Sequence, residues 1–256
     1  MLPGGDTGSS DAAVPTPDAG ITPASDAGAS GGVDPAAGQQ IAAIRSAEAG
    51  AINLAVGTVM VTVARPEHGR DVAGFFVQAN PTGPAIFVAH NPAANGIQAG
   101  TLLSFTATEC ADSYGQRIVT SLIDLVLSGQ GNVGDMLQDV NAADDLESAL
   151  GDYEAEYLGA DVTLTGGMGF AGNSFSGAPI STAGMPDSGL ILRLPDTLQT
   201  RLQLVEGCSL TIKGPMWRYR DTAQLSAYRR EALRNIECPA TALTEELAMS
   251  STEVRL

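Results

Sequence analysis

Short apolar runs separated by glycine, proline and asparagine dominate the first half of the chain beyond its N-terminal tail. In the first run, residues 54–64, the side chains of Val59, Val61 and Val63 recur at every second position, as they do on one face of a β-strand. The residues before Gly57 follow the opposite phase. This change of phase predicts a bulge at Gly57 that bends a long first strand, as the first strand of a small barrel requires.

Four further apolar runs follow before residue 124. Two of them flank the turn Asn-Pro-Thr-Gly, which predicts a β-hairpin. After a longer connection, the other two flank Gly115 and predict a second hairpin. A strand, a hairpin strand pair, a longer connection and a final hairpin form the layout of a closed five-stranded OB barrel. The predicted strands after the first are 74–79, 85–89, 101–108 and 116–123.

A second and more diverged copy of this pattern lies in the C-terminal half. Gly83 and Gly189, which begin matching apolar runs, are 106 residues apart, and Gly100 and Gly207 are 107 residues apart. A nearly constant offset over two strands indicates an internal duplication. The second strand of this copy, within residues 173–182, is only weakly patterned.

A short helix is predicted before each barrel. Residues 39–50 carry Ile41 and Ile44 at helical spacing, and the aspartates at 144 and 145 are suited to cap a second helix. The predicted fold class is therefore mostly β, with two tandem OB-like five-stranded barrels and a disordered N-terminal tail. The predicted segments are a disordered tether at 1–38, the first barrel at 39–128, a linker at 129–141, the second barrel at 142–240 and a C-terminal tail at 241–256.

The first barrel resembles an OB-type domain of bacterial secreted proteins through Ile41, Ile44, Gly50 and the runs GTVMVTV, GFFVQ, GPAIFV, AGTLLSFTAT and QRIVTSL. Such domains accompany extracellular nucleases and occur in surface lipoproteins of myxobacteria and their relatives. The resemblance covers about 85 residues and includes no catalytic residues, so it implies a fold and a compartment rather than an activity.

Residues 1–38 consist largely of Gly, Ser, Ala, Pro and Asp, with almost no large apolar side chain. Such a segment buries too little apolar surface to offset the entropy lost on ordering. Together with the resemblance to lipoproteins, its repeated Asp-Ala-Gly indicates a tether between an upstream lipid anchor and the folded domains. This interpretation predicts an extracellular or cell-envelope location; the alternative is a cytosolic protein with an unstructured start.

The chain is strongly acidic, with a formal net charge of −16. An acidic surface repels phosphate backbones, so the net charge disfavours nucleic acid as a partner. No apolar run approaches the roughly 20 residues that cross a bilayer. Attachment to a membrane is therefore expected only through a lipid anchor upstream.

The three cysteines are Cys110, Cys208 and Cys238. Cys208 opens a predicted strand and Cys238 lies at the end of the second barrel. If the last strand returns beside the fourth, these two meet, which predicts a Cys208–Cys238 disulfide and leaves Cys110 as a free, buried thiol. A disulfide would agree with an oxidising compartment.

No convincing catalytic set is present. The glycines of 167–172 match GxGxxG, but no helix pattern follows to bind a pyrophosphate, so a hairpin loop is predicted. The only histidines are His68 and His90, and the charged residues beside His68 are typical of a solvated turn. We therefore predict no enzymatic activity, no cofactor and no metal.

Basic and aromatic residues concentrate in 213–234, a segment with six basic and only two acidic residues. Trp217 and Tyr219 alternate there with Arg218 and Arg220. These groups can stack on bases or sugars and pair with phosphates. Alternatively, the rings fill the second barrel and the arginines pair with acidic residues of the first.

Phe76 and Phe87 are predicted on the outer face of the first barrel, because the alternation places Phe75 and Val77 inside. The second and third strands commonly form the binding face of an OB barrel. Two phenylalanine rings on that face need a partner. The partner is either a ligand or the second barrel.

The predicted function is binding of a protein or glycan partner at the cell surface by a non-enzymatic, secreted or envelope-attached protein. The alternative is a module that binds single-stranded nucleic acid or another polyanion, associated with an extracellular nuclease system. The predicted ligand-binding residues are Phe76, Phe87, Trp217, Arg218, Tyr219 and Arg220.

Overall fold

Thirteen β-strands and three short α-helices make up residues 32–240, the part of the chain that this computed structural model describes. Ten of the strands form two closed five-stranded barrels in series, so the mostly β fold predicted from the sequence is confirmed. The predicted C-terminal tail and the first 31 residues of the predicted tether lie outside the described residues.

The first barrel has the strand order of an OB fold. Its strands follow one another around the ring as first, second, third, fifth and fourth, and only the third and fifth run parallel. The register of the first strand shifts between Val56 and Val59, on either side of Gly57, where the bulge was predicted. The strands are β1 (Gly50–Arg65), β2 (Gly74–Gln78), β3 (Ala85–Val88), β4 (Thr101–Ser113) and β5 (Gln116–Gln130).

Helix α1 (Ala37–Ser46) packs on the core of the first barrel. It begins two residues earlier and ends four residues earlier than the predicted 39–50. Ile41 and Ile44 are fully buried against the barrel interior. The backbone N–H of Asp34 donates to Thr58 O at 2.7 Å, so residues 32–38, which were predicted as part of the tether, pack on this barrel instead.

The segment predicted as a linker is also structured. Strand β5 extends to Gln130, and Met136 is buried beside Met60. Strand β6 (Gln138–Asp139) then pairs in parallel with the first strand of the second barrel. The connection is thus held to both barrels by packing and backbone hydrogen bonds.

The second barrel repeats the strand order of the first, with one parallel pair at the equivalent place. Its ring runs β7, β9, β10, β12 and β11, and β11 closes on β7. Short helices α2 (Leu150–Tyr153) and α3 (Asp196–Leu202) precede the first strand and follow the third. The strands are β7 (Tyr157–Leu164), β8 (Gly169–Phe170), β9 (Phe175–Ser181), β10 (Ile191–Pro195), β11 (Ser209–Tyr219), β12 (Thr222–Ser226) and β13 (Leu233–Glu237).

One feature of the backbone recurs in both barrels and agrees with an internal duplication. The turns that follow β4 and β11 each contain a non-glycine residue with positive φ, Tyr114 at 55° and Arg220 at 56°. These two residues are 106 residues apart, the same offset that relates Gly83 to Gly189. Since few non-glycine residues adopt such a conformation, its recurrence at this offset supports a common origin for the two barrels.

Strand β13 pairs with β11, the fourth strand of the second barrel, and so brings Cys238 close to the start of that strand. Cys208 and Cys238 are joined there in a disulfide with a sequence separation of 30. Cys110 is a free thiol, buried, and its Sγ lies 3.3 Å from Glu48 O.

Candidate functional site in the cleft between the barrels

The two barrels meet through corresponding loops. Between the loops that follow the first strand of each barrel, His68 Nε2 lies 2.7 Å from Ser174 O. Between the turns that follow the fourth strands, the N–H of Arg220 donates to Tyr114 O at 2.6 Å. The surfaces that OB barrels commonly use for ligands therefore face each other and enclose a shared region.

Phe76 and Phe87 are both fully buried in that region. They point out of the first barrel, as the alternation predicted, with ring centroids 4.9 Å apart. The second barrel covers them, through Trp217, Tyr228 and Phe175. Of the two partners that the sequence left open for these rings, the structure shows the second barrel, because apolar rings beside a second folded surface gain more from packing than from solvent. Fully buried in this way, the two predicted ligand-binding phenylalanines are not accessible to a ligand.

Trp217 belongs to the same cluster and is 8% exposed. Its ring centroid lies 6.2 Å from that of Phe76 and 5.7 Å from that of Phe87, and both pairs are edge-to-face. The indole thus neither fills the second barrel nor stands free for a ligand. It nevertheless lines the cleft described below.

The other members of the predicted basic and aromatic site are divided between interface and surface. The Arg218 guanidinium pairs with Glu154, with Nη1 3.5 Å from Oε2. The backbone N–H of Arg218 donates to Gln116 Oε1 at 3.2 Å. Tyr219 is 40% exposed, and its ring centroid lies 5.1 Å from that of Tyr114. Arg220 is exposed, with its guanidinium 5.5 Å from the Tyr219 ring. Arg218 is therefore structural, while Tyr219 and Arg220 remain accessible.

Two buried arginines that sequence reasoning did not single out lie at the centre of this region. Arg65 ends β1, and its guanidinium is 4.2 Å from the Phe87 ring and 4.8 Å from the Trp217 ring. Arg193, on β10, stacks at 3.4 Å on the Phe175 ring. Arg193 interrupts the apolar run Ile-Leu-Arg-Leu, and this interruption was the available signal. A guanidinium buried in such a run needs a specific reason, since burial of charge is costly.

One carboxylate serves both guanidinium groups. Asp71 Oδ2 lies 2.8 Å from Arg193 Nη2 and 3.9 Å from Arg65 Nη1, and Oδ1 accepts from Asn173 Nδ2 at 3.0 Å. Arg65 Nη2 donates to Val72 O at 2.6 Å. Within residues 32–240, Nε and Nη1 of Arg65 and Nη1 of Arg193 have no hydrogen-bond partner. The site therefore has more buried donors than its own carboxylate satisfies.

These groups line a cleft of about 750 Å³ between the barrels, within the size range of small-molecule sites. Its charged lining comprises three arginines, Arg65, Arg70 and Arg193, against Asp71 alone. The cleft is thus locally basic in an acidic protein. Four of the seven large apolar side chains that are exposed among the described residues also line it, namely Val72, Tyr114, Phe170 and Tyr219.

Two buried carboxyl groups lie in the segment that enters the second barrel. Burial raises the pKa of Glu156 from its usual 4.5 to about 8, although Arg45 lowers it in part. Burial also raises the pKa of Glu154, against the opposing effects of Arg45, the Arg117 N–H and Arg218. Gly83, at φ +69°, brings the turn between β2 and β3 so close to the Glu156 carboxyl that any side chain at 83 would collide with it.

Over residues 32–240, no group of three or more His, Cys, Asp or Glu side chains is placed to hold a metal ion. No helix in the same range has the length and apolar character that a membrane span needs. The glycines of 167–172 form the loop around β8, which pairs with β9 as a hairpin.

No protein-family model matches the chain, and no curated protein matches it. Among solved structures, it is similar to the p204 HINb domain (14% identity, 71% of this chain and 95% of that chain, TM-score 0.31). It is also similar to the tetrameric p202 HIN2 (11%, 75% and 96%, TM-score 0.34) and to the wild-type single-stranded DNA binding protein from Thermus aquaticus (11%, 75% and 97%, TM-score 0.23).

The strand order of both rings defines the class of this molecule, a tandem OB-barrel protein. The OB part of the predicted resemblance is therefore confirmed. Its finer part, an origin among secreted proteins and lipoproteins of myxobacteria, stays a prediction.

Proposed function

We propose that this is a non-enzymatic binding protein that holds an anionic ligand in the cleft between its two barrels. The observation that carries the proposal is the pair Arg65 and Arg193. Both guanidinium groups are buried, both line the cleft, and both keep N–H groups without a hydrogen-bond partner among the described residues. Guanidinium donors with this surplus recognise carboxylate, sulfate or phosphate oxygens.

The exposed rings at the rim add a second element of recognition. Tyr114, Phe170 and Tyr219 are 58%, 86% and 40% exposed and line the cleft. Their flat faces would pack on an apolar or ring-shaped part of the ligand. The ligand class that fits both elements is an acidic glycan or an acidic, ring-bearing segment of a protein partner at the cell surface.

Single-stranded nucleic acid is the second candidate. It is favoured by the alternation of Tyr219 and Arg220 at the rim, beside the ring of Tyr114. Bases stack on such rings and phosphates pair with such arginines. The overall acidity of the chain opposes this candidate. An association with an extracellular nuclease system belongs to the same candidate.

An extracellular or envelope location is part of the proposal. It is supported by the Cys208–Cys238 disulfide, since disulfides form and persist in oxidising compartments. The non-enzymatic character is supported by the lining of the cleft, where guanidinium groups, aromatic rings and a paired carboxylate bind charge rather than attack a bond.

Trp217 allows a direct test, because it is the only tryptophan of the chain and lines the cleft. Its fluorescence can be titrated with uronic or sulfated oligosaccharides, acidic peptides and oligothymidylate, each against a neutral analogue and over a salt series. We expect saturable binding of an acidic class, weakened by salt. Steep salt dependence confined to the oligonucleotide would favour the second candidate.

A matched pair of variants separates the cleft from general electrostatics. Arg70→Gln removes an exposed arginine that lines the cleft, and Arg234→Gln removes an exposed arginine of β13 outside it. We expect the first variant to weaken binding several-fold and the second to leave it unchanged. Equal effects of both, or no response to any acidic class, would overturn the proposal.

A further inference from the structure

We infer that Asp71 is an internal anion that competes with the acidic group of the ligand for Arg65 and Arg193, and thereby sets the affinity and the specificity of the cleft. This inference rests on the proposed function, because it concerns the same site. The ligand class it implies is a compound with a carboxylate or phosphate oxyanion that can take the place of an aspartate side chain.

Asp71 lies at the cleft, in a loop of the first barrel. It belongs to the loop between β1 and β2, at the end of a tight turn in which its backbone pairs with that of His68. From this turn its carboxylate reaches across to Arg193 of the second barrel at 2.8 Å. The contact therefore bridges the barrels at the cleft, where a ligand of both barrels would bind.

Asp71 is more exposed than the two arginines that it contacts. The side chains of Arg65 and Arg193 are 2% and 5% exposed, whereas that of Asp71 is 14% exposed. The carboxylate is thus the most accessible of the three charged groups. An oxyanion that enters the cleft from solvent meets this negative charge before it reaches the arginines, so it must displace the carboxylate or be repelled by it.

Arg65 and Arg193 retain N–H donors for a further anion. With Asp71 in place, Nε and Nη1 of Arg65 and Nη1 of Arg193 still lack hydrogen-bond partners within the described residues. Two guanidinium groups with one carboxylate leave a positive charge in a buried site, and such a site favours an added or replacing anion. Because Asp71 supplies anionic oxygens to guanidinium N–H groups, an oxyanion with at least two such oxygens, a carboxylate or a phosphate, is the group that can take its place.

Anion rescue tests this inference without knowledge of the natural ligand. Asp71→Ala should lower the melting temperature, because it leaves two buried guanidinium groups without their carboxylate. Acetate or inorganic phosphate should restore part of the loss with saturation, whereas chloride at equal ionic strength should not. Rescue by acetate alone indicates a carboxylate site, and rescue by phosphate alone a phosphate site.

The matched control is Asp196→Ala. In the unmodified protein, the Asp196 carboxylate accepts from Ser176 Oγ at 2.6 Å within the second barrel and pairs with no arginine of the described residues. Oxyanions should not restore the stability of this variant. Absence of rescue in Asp71→Ala, or equal rescue in the control, would overturn the inference.

Asp71→Asn keeps the shape of the side chain, so it supplies a second measurement should the alanine variant not fold. Binding of inorganic phosphate or acetate, followed by Trp217 fluorescence, should be at least tenfold tighter than in the unmodified protein. An unchanged or weaker affinity for both anions would contradict competition by Asp71. These measurements use simple anions, so they can be interpreted even if no natural ligand is found. If they fail, the proposed binding of an anionic ligand in the cleft can still be tested by the titrations described above.

Discussion

Phe87 and Arg193 hold corresponding positions in the two barrels, 106 residues apart on β3 and β10, and both contact the same indole ring. The Phe87 ring centroid and the Arg193 guanidinium carbon each lie 5.7 Å from the centre of Trp217. One copy thus supplies an aromatic ring where the other supplies a cation. Phe87 packs on the indole across the interface, whereas Arg193 packs on it from within the second barrel.

Replacement of Phe87 by alanine should lower the free energy of unfolding by about 3–5 kcal/mol, the usual effect for a buried phenylalanine. Phe76→Ala should behave in the same way, because both rings are fully buried between the barrels. Denaturant unfolding followed by circular dichroism measures the effect. Phe170→Ala is the control: its ring is 86% exposed, so a change within about 0.5 kcal/mol is expected. Unaltered stability of Phe87→Ala would mean that the barrels do not pack through these rings.

Stability should fall as the pH rises from about 4.5 to about 8, because the pKa of Glu156 is raised to about 8 in the folded protein. In this interval the unfolded chain releases the proton while the folded chain retains it, so the slope reaches at most about 1.4 kcal/mol per pH unit. The raised pKa of Glu154 acts in the same direction. Below the interval both states are protonated, and above it both are ionised.

Unfolding free energies measured across this pH range test the assignment. Glu156→Gln should flatten the profile, because glutamine does not titrate. Glu109→Gln, on the exposed side of β4, should preserve it. Parallel profiles for the unmodified protein and Glu156→Gln would show that another group is responsible.

Loss of the Cys208–Cys238 disulfide should cost about 3–4 kcal/mol, the chain-entropy value for a separation of 30 residues. The double variant Cys208→Ser, Cys238→Ser should show this loss in denaturant unfolding, and the unmodified protein should show it after reduction. Reductant should then have no further effect on the variant. Mass spectrometry of unreduced peptides should find the two cysteines linked and Cys110 free; free thiols at all three positions would refute the pairing.

Helix α1 should be essential to the first barrel. Ile44→Ala should lower the free energy of unfolding by about 2–5 kcal/mol, because the side chain is fully buried on the barrel core. Ile123→Ala is the matched control, since that isoleucine on β5 is half exposed. Similar losses for both variants would indicate that the helix does not contribute to the core.

The first barrel was predictable because its apolar runs have strand length and are separated by clear turn residues. The second was harder, since β9 contains Gly177 and Pro179, which weaken the strand pattern. Helix α3 escaped prediction although Asp196 in its first turn and Arg201 in its last are typical helix signals. The cleft was not predicted, because Arg65 and Arg193 are far apart in sequence and the interruption of an apolar run by Arg193 does not show which residues lie opposite it.

The sequence by itself determined the two OB barrels, through the apolar runs and turn residues of the first and the repeat at offsets of 106 and 107 residues in the second. Alternation is a property of neighbouring residues, so it also assigned sides to the strands of the first barrel. It placed Phe76 and Phe87 outside the first barrel but left two partners possible. Only the tertiary structure decided that the second barrel covers these rings and that Asp71 meets Arg193 across the cleft. Such contacts join residues more than 100 positions apart, and their formation depends on the docking of two completed surfaces, for which no repeat in the chain carries a signal.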